Sequence, residues 1–211
     1  LEKWFSYLEN SFGKGVKILL SDENIPLFKS PRDAINLLHA LLSLRHRTLH
    51  VIESNRVYLE QNEVERNLLS RGLEKEHSIM VLENIVNAIY HEAAEYENVE
   101  FVISKTDSDS YILGDMPVLN KVVDGFSFLP ISNKVLLAFR PSDTYSTYKR
   151  IKGGNDLVAA INETLASCAR KWIISDRIEQ LKVFESLIGT NPDLGSEFIK
   201  AKHEIHPFSL E

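Results

Sequence analysis

The chain has 211 residues, of which 44% are hydrophobic and 26% are charged, and its 30 acidic and 24 basic side chains leave a formal net charge of −6. This composition is typical of a globular protein and excludes a disordered, collagen-like or disulfide-scaffolded chain. The single cysteine, Cys168, favours a reducing compartment, so we expect a cytoplasmic protein. No apolar run is long enough to span a membrane, and the acidic balance argues against broad, non-specific binding to nucleic acid.

The first 98 residues predict a layer of helices. Apolar residues at helical spacing after Trp4 predict a short amphipathic helix that ends near Gly13 and Gly15, and its resumption over residues 16–20 stays open. Ser30 and Pro31 then form a helix start, because the serine can accept from the amides of the first turn and the proline suits that turn. The long helix that comes next has one broad apolar face, formed by Ala34, Ile35, Leu38, Leu41, Leu42, Leu49 and Ile52.

A charged stretch at residues 60–66 is interpreted as the solvated face of a second helix or of a continuation of the long one, interrupted at Gly72. A further helix is predicted between about Glu74 and Tyr96. One stripe of apolar residues at helical spacing indicates that this helix packs into the core. The stripe consists of Ile79, Leu82, Val86, Ile89, Tyr90 and Ala93.

Short β-prone runs, separated by turn-forming residues, begin at Val99. The runs lie at residues 99–103, 111–113, 118–119, 126–129 and 135–139. A basic connection with two glycines, residues 149–154, precedes a helix to Ala169, a strand at 172–174 and a last helix that ends at Gly189. We interpret the connection as a flexible loop, with anion binding as the alternative.

This order of elements predicts an α+β fold. We expect a single domain over residues 1–211, with a helical layer at 1–98, a sheet with helices at 99–189 and a tail at 190–211. In this arrangement the helical N-terminal half packs on a small, mainly antiparallel sheet, and two further helices lie near the C-terminus.

Several phrases in the second half of the sequence resemble a known family. They lie at residues 101–103, 111–118, 128–137, 161–162 and 169–175. With these phrases the chain resembles a bacterial family of domains of unknown function, number four-two-three-eight, whose members read S-D-N-P and later L-P-L-S-P before an apolar strand. The matching positions are Asp115, Pro117, Leu129, Pro130, Ser132, Asn162 and Ser175.

The first half resembles the same family more loosely, and the chain departs from the family pattern at several points. Glu9 falls where relatives carry an I-E pair, and Arg47 falls where they read R-T-P. The departures are Gly114 for Ser, Met116 for Asn and Leu49 for Pro, and the sequence does not contain the H-Y-V-P segment with which relatives open. The resemblance implies a fold and a bacterial or phage origin, and it implies no reaction.

Two polar residues in these phrases are candidate site residues. Asp115 follows an apolar run, where it can bond backbone amides in a turn or act as a catalytic carboxylate. Asn162 can bond backbone beneath the sheet, or it can line a site together with Asp115. We favour the turn for Asp115, because no base, metal ligand or nucleophile lies within a few residues of it.

Residues 45–50, Arg-His-Arg-Thr-Leu-His, form the most distinctive local motif. The motif resembles the Arg-polar-x-x-x-His pattern of the all-helical ribonucleases grouped as higher eukaryote and prokaryote nucleotide-binding domains. That resemblance implies that Arg45 contacts a phosphate and that His50 is a general acid/base. Arg45 also projects from the apolar face of its helix, where a charge must be paired or functional. The spacing arises easily by chance, and the family alignment favours Arg47 instead.

Two histidines of the same motif have the spacing of metal ligands. His46 and His50 are four residues apart on one helix and could bind one ion together. His39 lies about 10 Å along the helix and cannot join them. We therefore predict neither a metal nor a cofactor.

Two classes of function stay open. As a binding or interaction module, the protein would use the groove between helix layer and sheet, with a protein partner or a second copy of itself. As an enzyme, it would be a metal-independent ribonuclease-like toxin or defence effector, whose site contains Arg45 or Arg47, His46, His50 and Glu9. We favour the binding module.

Overall fold

A computed structural model describes residues 2–21, 26–48, 51–53, 56–57, 63–107, 110–123 and 125–191 of the chain. Helices come first, then strands, then two more helices, which confirms the predicted α+β class. The chain divides into two compact units, one made of Leu1–Val99 with Pro141–Ser146 and the other of Glu100–Arg140 with Thr147–Glu211. We call them the helical unit and the sheet unit, and the predicted single domain stays a prediction.

The described residues of the helical unit include four helices with assigned bounds. They are α1 (Glu2–Leu20), α2 (Pro31–His46), α3 (Glu63–Ser70) and α4 (Glu74–Ala93). The predicted start of α2 is confirmed, because Ser30 Oγ accepts from the Asp33 amide at 3.2 Å and caps the first turn. The predicted end of α1 near Gly13 and Gly15 is wrong, whereas the helical continuation over residues 16–20 that the sequence left open is observed. The helix continues through Gly15, where a β-carbon would lie 3.1 Å from Leu37 Cδ1, so glycine permits close packing on α2.

The apolar face of α2 is largely as predicted. Ala34, Leu38, Leu41 and Leu42 are buried and Ile35 is half-buried. The helix ends at His46, earlier than its apolar pattern suggests. Leu49 and His50 lie outside the described residues, and residues 51–53 are helical again.

The buried face of α4 differs from the prediction. Its buried residues recur every three or four positions and include two polar side chains: His77, Val81, Ile85, Ile89, Glu92 and Ala93. Of the predicted stripe, Ile89 and Ala93 are buried, whereas Ile79, Leu82 and Tyr90 are exposed. The prediction failed because α4 carries apolar residues on two faces, and helical periodicity cannot tell which face meets the core.

The sheet unit is built on five strands in the order β3-β4-β5-β1-β6. The strands are β1 (Asn98–Lys105), β3 (Leu119–Val123), β4 (Phe126–Pro130), β5 (Val135–Ser142) and β6 (Thr147–Lys152). β4 is antiparallel to β3 and to β5, and β6 is parallel to β1. Arg140 bonds Glu100 while the Thr106 amide bonds the Lys134 carbonyl, so β5 also runs antiparallel to β1.

Two predictions about the strands are wrong. The basic stretch expected to be a flexible connection forms the edge strand β6, in which Lys149 and Arg140 flank Glu100. The hydrogen bond from Lys149 and the charges of both cations hold the pKa of Glu100 below its usual value. The run at 111–113 contributes only β2 (Leu113–Gly114), which pairs with β7 (Ile173–Ile174) in a separate two-stranded sheet.

Two helices near the C-terminus complete the sheet unit, as predicted. α5 (Asn155–Cys168) buries one face, and α6 (Ile178–Phe184) continues into a 3₁₀ turn at Glu185–Leu187. Burial raises the pKa of the Cys168 thiol. The core between strands and α5 consists of Val102, Tyr111, Ile112, Leu119, Phe128, Leu136, Ala138, Val158, Ile161, Leu165, Ala166 and Cys168.

The Gly153→Ala variant tests the junction between β6 and α5. A β-carbon at Gly153 would lie 2.6 Å from Ser104 Oγ and 3.1 Å from the Tyr111 hydroxyl, so we expect a loss of about 1–3 kcal/mol in the free energy of unfolding. Gly154→Ala is the matched control, because no atom lies within 4 Å of the added carbon and the expected change is below about 1 kcal/mol. Urea denaturation measures both, and equal midpoints would contradict the packing described.

Candidate functional site

Arg45 and His46, at the end of α2, bind the carboxylate of Glu92 on α4. Arg45 Nη1 donates to Glu92 Oε1, and His46 Nε2 lies 2.6 Å from Glu92 Oε2, to which it donates. Glu92 has 0% of its surface exposed, and both partners are also buried. The arginine and the histidine thus supply one hydrogen bond to each carboxylate oxygen in the interior of the helical unit.

This cluster explains how the charge of Arg45 is accommodated on an apolar helix face. A cation on an apolar helix face must be paired or functional, and Arg45 is paired. The carboxylate is Glu92, which was not among the candidates predicted from the sequence. Its signal was its phase, since Glu92 recurs on α4 at the helical spacing of Ile85 and Ile89. In this position the Arg45 guanidinium is directed at protein atoms and not at solvent.

The neighbouring Arg47 lies in a different environment. Its Nη1 donates to Glu9 Oε1 at 2.6 Å, and its guanidinium carbon lies 4.5 Å from the centre of the Phe5 ring. Both charged side chains are exposed, so this pair is screened by water. The structure therefore joins Glu9 to Arg47 and His46 to Arg45, and His50 lies outside the described residues.

In the sheet unit, Asp115 fixes the turn after α5. Its two carboxylate oxygens accept from the amides of Arg170 and Lys171 at 2.8 and 2.9 Å, and its own amide donates to the Trp172 carbonyl at 3.4 Å. The adjacent Gly114 is buried, and a β-carbon there would lie 3.2 Å from that of Ala169. The absence of a side chain at Gly114 thus lets β2 approach the end of α5.

Asn162 also bonds backbone. On α5, its Oδ1 accepts from the Ile112 amide at 3.0 Å and its Nδ2 donates to the Ser110 carbonyl at 2.8 Å. This buried amide therefore holds the segment before β2 against α5. The Asp115 carboxylate and the Asn162 amide each stabilise an irregular segment by binding its backbone groups. From the sequence, this structural role was one of two alternatives for each residue.

The turn held by Asp115 carries a surface that was also not among the predicted candidates. Arg170 and Lys171 are exposed, Trp172 is 47% exposed and Ile174 is 56% exposed. Trp172 and Ile174 are two residues apart, on the side of β7 opposite Ile173, which packs against the core. We call these four residues the Trp172 surface. The signal in the sequence was two basic residues directly before three consecutive apolar ones.

The edge of β7 contributes to this surface. β7 pairs with β2 on one side, and no described strand pairs with its other side. Within the described ranges no group of three or more His, Cys, Asp or Glu residues could hold a metal ion. In the same part of the chain no helix is both long and apolar enough to cross a membrane.

Comparison with known proteins assigns no relative. No family model, curated protein or solved structure matches this chain. The resemblance to family four-two-three-eight therefore stays a prediction, and a function for this chain has to be inferred from the geometry of its described residues.

The Glu92→Gln variant tests the buried cluster. Loss of the carboxylate charge leaves the Arg45 cation without its buried anion, so we expect the free energy of unfolding to fall by about 3 kcal/mol or more. Glu9→Gln is the control at the exposed pair with Arg47, where the expected loss is below about 1 kcal/mol. Guanidinium denaturation of both variants measures the difference, and equal losses would contradict the buried geometry.

Proposed function

We propose that the protein is a binding module that recognises an extended, acidic peptide segment through the Trp172 surface. The observation that carries the proposal is the turn at residues 170–172. There the Asp115 carboxylate uses both oxygens to bind backbone amides, and the side chains it fixes point to solvent. A half-exposed tryptophan on a fixed turn loses little freedom on binding, which favours its use as an anchor.

The chemistry of the surface indicates the chemistry of the partner. Trp172 and Ile174 offer an apolar contact, and Lys171 places a cation beside it. Tryptophan and arginine, here Trp172 and Arg170, are enriched at binding surfaces. Carboxylates are the charges complementary to Arg170 and Lys171. An acidic segment with alternating apolar side chains satisfies both features.

An extended conformation of the partner is inferred from β7. Among the described residues, β7 has a neighbouring strand on one side only, and such an edge offers backbone donors and acceptors to a peptide, which can add as a further strand. Side chains of an extended peptide alternate between two faces. Those on one face would therefore meet Trp172 and Ile174 together.

The cytoplasmic location and the ribonuclease alternative stay proposals of lower rank. The single, buried Cys168 supports the location.

The ribonuclease would need a phosphate to reach Arg45, which is engaged with Glu92. RNA cleavage by the protein and by His50→Ala tests it, and equal activity in both, or none in either, would remove that hypothesis.

The Lys171→Glu variant tests the proposed function. The acidic probe is a labelled nine-residue peptide of alternating aspartate and valine. The basic probe has lysine in place of each aspartate, and fluorescence anisotropy measures the affinity of the protein for each. We expect Lys171→Glu to weaken binding of the acidic probe by about tenfold and to strengthen binding of the basic probe, because the local charge is reversed. Trp172→Ala should weaken binding of both probes by about tenfold or more.

Lys14→Glu is the matched control, since Lys14 is an exposed residue of α1 and its reversal changes the net charge equally. If Lys14→Glu weakens the acidic probe as much as Lys171→Glu does, the binding is non-specific and the proposal fails. The proposal also fails if Trp172→Ala binds the acidic probe as the parent protein does. Circular dichroism confirms that each variant is folded.

A further inference from the structure

The outer face of α4 carries an apolar stripe that lies outside the packed core formed by the described residues of the helical unit. Ile79, Leu82 and Tyr90 are exposed and Val86 is half-buried, although all four are large and apolar. They are spaced three, four and four residues apart, so they follow one side of the helix over about 16 Å. We call these four residues the α4 stripe. Single exposed apolar residues are ordinary, but four in a row on one helix face mark a contact surface.

The stripe is distinct from the buried face of the same helix. That face runs through His77, Val81, Ile85 and Ile89 to Glu92, which binds α2. Rotation of α4 about its axis would bury the α4 stripe only by exposing Glu92 and breaking its bonds to Arg45 and His46. The stripe is therefore held outward by the buried cluster.

Acidic side chains flank the stripe. Glu76 and Glu83 are exposed on α4 and, at 100° per residue, both lie on the same side of the line from Ile79 to Tyr90. At the end of the stripe the Tyr90 ring meets the His39 ring edge-on, with centres 5.6 Å apart. Burial lowers the pKa of His39, which favours the uncharged form of this ring beside the stripe.

We propose that the α4 stripe docks an amphipathic helix of a partner protein, with lysine or arginine on the flank that meets Glu76 and Glu83. Spacing of three and four residues fits a helix laid along α4, since helical partners present anchors at the same intervals. The two carboxylates select a basic flank by charge complementarity. This surface shares no residue with the Trp172 surface, so either proposal can fail alone.

A second copy of this chain fits the stripe less well. Antiparallel pairing of two α4 helices about the middle of the stripe brings the two Glu83 carboxylates onto the same flank, where like charges repel. Parallel pairing would form a seam of only the four stripe residues, Ile79, Leu82, Val86 and Tyr90, which spans about 16 Å. So short a seam does not hold a coiled coil together. A basic helix avoids both difficulties.

The test uses the whole chain and three labelled 18-residue peptides. The first is helical, with leucines along one face and lysines beside them; the second has the same composition with the leucines scattered; the third has glutamate in place of lysine. We expect the first peptide to bind at least about tenfold more tightly than either of the others in fluorescence anisotropy. Equal binding of the first and the scattered peptide would overturn the proposal, because charge alone would then explain it.

Leu82→Glu should weaken binding of the first peptide by about tenfold, since it places a charge within the apolar contact. Leu157→Glu on α5 is the matched control, because Leu157 is 37% exposed against 38% for Leu82 and the charge change is equal. An equal loss in both variants would overturn the proposal. Light scattering measures the oligomeric state of the protein alone. A dimer that Leu82→Glu dissociates would also overturn the proposal, because the stripe would then be an interface between two copies of this chain.

Discussion

The carboxylate of Glu92 lies in the interior of the helical unit without access to water, and an ionised group in that position is stable only when each oxygen has a donor. Arg45 and His46 are those donors, and they are successive residues in the last turn of α2. Their bonds fix which turn of α2 meets which turn of α4 and which face of α4 is buried. The outward direction of Ile79 and Leu82 is a consequence of this one carboxylate.

The sheet unit obeys the same rule with backbone groups. Segments without regular structure leave amides and carbonyls that need partners, and the side chains of Asp115 and Asn162 provide them. Residues that resembled catalytic groups therefore hold turns and helices in place. The surfaces that remain exposed combine apolar and charged side chains. The charges are basic around Trp172 and acidic beside the α4 stripe, and this combination is typical of binding surfaces.

Local signals in the sequence predicted well wherever neighbouring residues decide the structure. The cap at Ser30 and the strand predicted at 126–129 are of this kind, and so is the need for a partner at Arg45, because each depends on residues within a turn or a strand. The strand β6 was missed because its basic, half-exposed residues lack the alternation of a covered strand. The pairing of β2 with β7 joins residues about sixty positions apart, which no local pattern records.

By itself the sequence determined the α+β class, the order of helices and strands and the presence of a buried cation, because composition and periodicity act over a few residues. The tertiary structure decided which face of α4 is buried, which carboxylate neutralises Arg45 and which side chains stay at the surface. Those outcomes depend on the free energy of burying charges and backbone groups against distant parts of the chain. Both apolar helix faces of α4 satisfy the periodicity, but only one carries Glu92 to Arg45 and His46.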